Sequence, residues 1–121
     1  MIRADLFETD AEATSRRRWR DLIERRLPEA ARHRPDWPVR LDHCFARILL
    51  DEVCGRPWRE IVAAPAWRNL PLDRLEAALT LGERVLLGEA NLSALNERSL
   101  ARRGKAGRDA GQKVTRGRDA A

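Results

Sequence analysis

The segment 41–54 constrains the fold of this 121-residue chain more than any other. Wound at 100° per residue, it places Leu41, Cys44, Phe45, Ile48 and Leu49 on one broad apolar face. Leu50, Ala46 and Val53 carry that surface round toward the opposite side. What remains polar is a narrow stripe of His43, Arg47 and Asp51, each four residues from the next, with Asp42 at the N-terminal end. A helix so nearly apolar all round belongs in an interior, with other helices packed about it. Gly55 suits its left-handed C-cap, and Pro57 follows just beyond.

The rest of the chain supplies those neighbours. Val, Ile and Thr are scarce while Ala and Leu dominate the apolar set, which favours helix over strand. Trp19, Leu22, Ile23, Leu27, Ala30 and Ala31 recur at helical intervals and predict a first helix over about 10–33, kinked or split by Pro28. Pro35 and Pro38 then break the chain. A short third helix is expected over 58–64, with Pro57 suited to its first turn, and a loop over 65–69. The fourth helix, about 71–87, carries a stripe of Leu72, Leu75, Leu79 and Leu86 and ends at Gly88. Asn91 caps a fifth over about 92–103, with Gly104 as its stop. The expectation is an all-α fold, a compact bundle of about five helices over residues 10–103. A flexible N-terminus (1–9) precedes it, and a disordered basic tail (104–121) follows.

Charge divides unevenly along the chain. The total is +5, yet residues 1–100 hold 17 arginines against 17 acids. The excess falls in the last 21 residues, which hold Arg102, Arg103, Lys105, Arg108, Lys113, Arg116 and Arg118 against two aspartates. A balanced domain argues against a compact nucleic-acid module with one cationic face. Weak, nonspecific nucleic-acid association through those seven cations is an alternative, with a salt slope of about −5 on a single strand. No stretch approaches the roughly 20 apolar residues of a membrane span, so no membrane partner is expected. The acid-bearing N-terminus is no secretory signal, and two cysteines make no disulfide scaffold, so the expected setting is cytoplasmic and reducing.

The stripe on the second helix is where chemistry could sit. In one reading Asp42 caps the helix, Arg47 and Asp51 pair at i,i+4, and His43 bonds a loop carbonyl. In the other, Asp42, His43, Arg47 and Asp51 line a pocket in which Arg47 holds an anionic group and His43 moves a proton. An enzyme needs an opening beside His43, whereas a binding module predicts a closed, fully paired stripe. Cys44 points about 100° away from His43, so it reads as a buried structural cysteine. Cys54 lies about 15 Å further along the helix, too far for a disulfide. His33, His43, Cys44 and Cys54 lack the short spacings of zinc ligands, and no metal or cofactor is implied. Trp37, Trp58 and Trp67 each stand where a helix meets a proline-bearing loop. They either staple loops to a thin core or, with Arg68 beside them, line an aromatic cleft for a planar ligand.

The run Trp37-Pro38-Val39-Arg40-Leu41-Asp42-His43-Cys44-Phe45-Ala46-Arg47-Ile48-Leu49-Leu50-Asp51 resembles the central signature of a family of small helical proteins. The likeness continues through Trp58, Pro65-Ala66-Trp67-Arg68 and the closing Asn96, Ser99-Leu100 and Arg103-Gly104-Lys105. Members of that family are often labelled GNAT-type N-acetyltransferases. The resemblance implies a shared helical domain built around Asp42, His43 and Arg47. A GNAT fold is mixed α/β with a glycine-rich loop for pyrophosphate, and Gly55, Gly82, Gly88 and Gly104 are too scattered to build one. The favoured reading is a small helical binding or accessory domain for an unidentified small molecule or protein. Its site is the Asp42-His43-Arg47-Asp51 stripe, flanked by Trp37, Trp58 and Trp67. The alternative is a transferase-like enzyme with His43, beside Asp42, as base and Arg47 as anion clamp.

Overall fold

The first helical segment is continuous and built in three parts: α1 (Asp10–Asp21), a π-helical turn (Leu22–Arg26) and α2 (Leu27–Ala31). Pro28 explains the middle part. It has no N–H for the Glu24 carbonyl, and its ring would crowd that carbonyl in an α-helix. The wider turn, in which the Leu27 N–H reaches back to the Leu22 carbonyl, takes up the misfit. The kink or split expected at Pro28 is thus a π turn just before it. Beyond Ala31 the guanidinium of Arg40 folds back and donates to the carbonyls of Ala31 and Arg34, which satisfies acceptors that the helix end leaves open.

The computed structural model describes residues 10–104, and every regular element among them is helical. The flexible N-terminus and the basic tail expected beyond Gly104 lie outside the described residues. Counting the first segment as one, five helices form among the described residues, four of them where the periodicity predicts. α3 (Asp42–Cys54) ends at Gly55, whose φ of 73° is open to glycine and whose N–H bonds the Asp51 carbonyl at 2.8 Å. From Phe45 onward this helix is the interior one that its composition demands: Phe45, Ile48, Leu49 and Leu50 are all buried. Its first turn is not. Leu41, placed on the apolar face by the wheel, is the N-cap residue and 58% exposed.

The expected third helix shrinks to a single 3₁₀ turn (Trp58–Glu60), and the expected loop after Pro65 contains a turn of helix, α4 (Ala66–Asn69). Two local effects account for the shift. The β-branched pair Ile61-Val62 disfavours continuation, and Pro65 drives Ala64 out of the α region. α4 is instead fixed from outside, by Arg16 donating to the carbonyls of Trp67 at 2.8 Å and Leu70 at 3.3 Å. α5 (Leu72–Leu86) and α6 (Leu92–Arg102) fall where predicted, and the Asn91 side chain caps α6 by accepting from the Ala94 N–H at 3.0 Å.

α3 is the hub, packed against α6, α5 and the π turn. Gly82 lets α5 approach that turn closely: a Cβ there would stand 2.5 Å from Leu22 Cδ2 and 3.2 Å from Leu49 Cδ1. Both leucines are buried, so their methyl groups could shift only within the core. Overpacking of this kind costs about 1–3 kcal/mol, against about 1 kcal/mol gained in helix propensity. Gly82→Ala is therefore expected to lower the melting temperature by several degrees, and Gly82→Val by more. Thermal denaturation followed by circular dichroism checks both.

Candidate functional site

α3 and α6 meet through polar groups at the centre of their contact. Asp51, with no exposed surface, accepts four hydrogen bonds. Its Oδ2 takes the Ser99 hydroxyl at 2.7 Å and Arg103 Nε at 2.7 Å. Its Oδ1 takes Arg103 Nη2 at 3.0 Å and the backbone N–H of Trp58 at 2.9 Å. All of the acceptor capacity of a carboxylate is used, and the arginine contact is bidentate. Arg47 joins from the same helix, donating to Ser99 Oγ at 2.7 Å and to Asn96 Oδ1 at 2.9 Å. Ser99 therefore accepts from Arg47 and donates to Asp51. The i,i+4 pair expected between Arg47 and Asp51 is replaced by this relay, because α6 brings a hydroxyl between them.

A second layer lies outside the first. Glu52 receives Arg98 at 3.1 Å through two nitrogens and Arg102 at 3.0 Å. The Arg98 hydrogen bonds, helped by Arg102 and opposed by burial, hold the Glu52 carboxyl below its ordinary range. Asp51 in turn raises the affinity of Arg103 for its proton. Arg102 and Arg103, read from sequence as tail cations for nucleic acid, are thus bound into the fold. Their inclusion changes the charge of the folded part: residues 10–104 carry 18 arginines against 15 acids, not an even balance. The other tail cations, Lys105, Arg108, Lys113, Arg116 and Arg118, lie outside the described residues.

The structure splits the four-residue stripe. Arg47 and Asp51 enter the network, whereas the His43 side chain is 75% exposed and Asp42 55% exposed. Asp42 is not the N-cap; its Oδ1 accepts from the His43 N–H at 2.7 Å and lies 3.5 Å from His43 Nδ1. None of the prominent clefts among the described residues is lined by Asp42, His43, Arg47 or Asp51. Among those residues no group of three or more His, Cys, Asp or Glu could hold a metal ion, and no helix is long and apolar enough to cross a membrane.

The tryptophans divide as well. Trp37 is buried and packs edge-on against Phe45, centroids 5.8 Å apart, as a staple for the loop before α3. Trp58 and Trp67 instead share a cleft of about 300 Å³ with Trp19, Ile23, Ala46, Leu50 and Pro65. Its walls are fixed at both ends, since Asp51 holds the Trp58 N–H and Arg16 holds the Trp67 carbonyl. Arg59 lies over the Trp58 ring at 5.2 Å, and Arg20 and Arg68 over Trp67 at 4.9 and 5.4 Å. Trp19 was read from sequence only as a core position, and Asn96 and Ser99 only as part of the resemblance, none of them as a site residue. The signal for Asn96 and Ser99 was present: Leu92, Leu95, Asn96, Ser99 and Arg103 form one helical stripe, with polar residues where a core face continues.

The chain matches no protein-family model, no curated protein and no solved structure.

The paired carboxylates set the response to acid. Glu52, and Glu83 held down by its bonds to Arg26, have folded pKa values below their unfolded ones. Such groups contribute stability that is full above the unfolded value and is lost as pH falls through the folded value. The melting temperature is expected to hold from pH 7 to about 5 and to fall steadily below about 4.5. Glu52→Gln should lower it at pH 7 and flatten the acid limb. Thermal melts at a series of pH values check both.

Proposed function

We propose that this chain is a helical binding domain whose ligand enters the cleft between Trp58 and Trp67. One observation carries the reading. This cleft is apolar, concave and walled by aromatic rings whose backbones are locked by buried or charge-assisted hydrogen bonds, the character of a preformed site. Its volume of about 300 Å³ stands at the small end for ligand sites and suits one large side chain or ring. The Arg47-Ser99-Asp51-Arg103 network serves as its frame, since it holds Asp51, which in turn accepts the Trp58 N–H. A binding module is favoured over a transferase worked by His43 because none of the prominent clefts among the described residues is lined by His43.

Four tryptophans give four indole N–H signals, and Trp37, in the staple, is an internal control. Titration with neutral indole at millimolar concentration is expected to shift the signals of Trp58 and Trp67 and to leave that of Trp37 in place. Trp67→Ala should abolish the response. Uniform shifts, or none, would count against the cleft. Shifts confined to His43 on addition of acetyl-coenzyme A would favour the transferase instead.

A further inference from the structure

We infer that the occupant of the cleft is an acidic peptide segment of a partner protein, seated by one aliphatic or aromatic side chain with carboxylates beside it. This rests on the reading of the cleft as a binding site. The floor offers Ile23, Ala46, Leu50 and Pro65, which take an apolar side chain. The rim is cationic. Arg59 and Arg68 each lie over a wall tryptophan, and neither has a carboxylate within ion-pair distance among the described residues. Glu24, the one carboxylate among the lining residues, is already paired with Arg20 at 3.3 Å. Resting on the Trp58 ring holds the Arg59 guanidinium in the cleft lining, and resting on Trp67 holds Arg68 beside that wall, so little side-chain freedom is lost when an anion arrives. Arg59 in the lining and Arg68 against the Trp67 wall, beside one small apolar hole, fit carboxylates flanking one anchor. A single-stranded nucleic acid would also offer rings and anions, but its bases bind by stacking on ring faces. Those of Trp58 and Trp67 already carry guanidinium groups.

The test uses the full chain and a seven-residue synthetic peptide, blocked at both ends, with a central Phe and three Glu on either side. Versions with Gln or Lys in place of Glu, and an oligouridylate, serve as comparisons. Binding is followed by the indole N–H signals and by titration. The Glu peptide is expected to move Trp58 and Trp67 and to bind about tenfold more tightly than the Gln peptide at low salt. That advantage should vanish in about 0.5 M salt and in the Arg59→Gln/Arg68→Gln variant, which touches no ion pair among the described residues. Equal binding of the Glu and Gln peptides, or tighter binding of the Lys peptide, overturns the acidic partner while leaving the cleft intact. Tighter binding of the oligouridylate at the same signals also overturns it. If no peptide binds, the inference fails. Indole then decides whether the cleft reading falls with it.

Discussion

One buried carboxylate organises this protein. Asp51 lies wholly inside, and a charge in that position persists only when its bonds are complete. Its four hydrogen bonds come from three residues in two separate parts of the chain, Ser99 and Arg103 at the end of α6 and Trp58 in the turn after Gly55. Satisfying Asp51 therefore fixes where α6 ends and where Trp58 stands. The apolar residues of α3 supply the driving force for burial. The carboxylate sets the arrangement, because a shifted α6 would leave an unpaired charge in the core, whereas shifted leucines would merely repack. Removing one partner of such a pair typically costs about 3–5 kcal/mol, more than a typical leucine rearrangement.

The same group links the frame to the candidate site. Around α3, Ala46 and Leu50 face the cleft, Arg47 and Asp51 face α6, and Phe45, Ile48 and Leu49 fill the core. The Trp58 N–H on Asp51 Oδ1 connects the first two sectors directly. The cleft wall and the last helix thus share one anchor, and neither moves without disturbing the other.

Local rules were legible in the sequence and long-range partners were not. The interior helix, its glycine stop and the Asn91 cap follow from periodicity and backbone chemistry within a few residues, and the structure has them there. The demand that Asp51 be paired was equally plain from its place on an apolar helix. The partner was not, because i,i+4 spacing offered Arg47, whereas the fold supplies Ser99 and Arg103 from 48 and 52 residues away. Arg103 was hidden further because, although it stands at the expected end of the fifth helix, the run of arginine, lysine and glycine around it groups it with the tail cations. The stripe was drawn with four members because four-residue spacing alone does not show where a helix leaves the core. His43 stands in the first turn, outside it, and is exposed. The helix expected over 58–64 failed on a local conflict, Pro57 starting a turn that Ile61, Val62 and Pro65 do not continue.

Hydrogen exchange at the Trp58 backbone N–H tests the central role of Asp51 most directly. This amide belongs to a short 3₁₀ turn outside the regular helices, where exchange is ordinarily governed by local fraying. Bonded to a fully buried carboxylate, it is predicted to exchange as slowly as the core amides of Leu49 and Leu50, and to lose that protection in Asp51→Asn. Exchange as fast as that of the neighbouring exposed Arg59 would contradict the account.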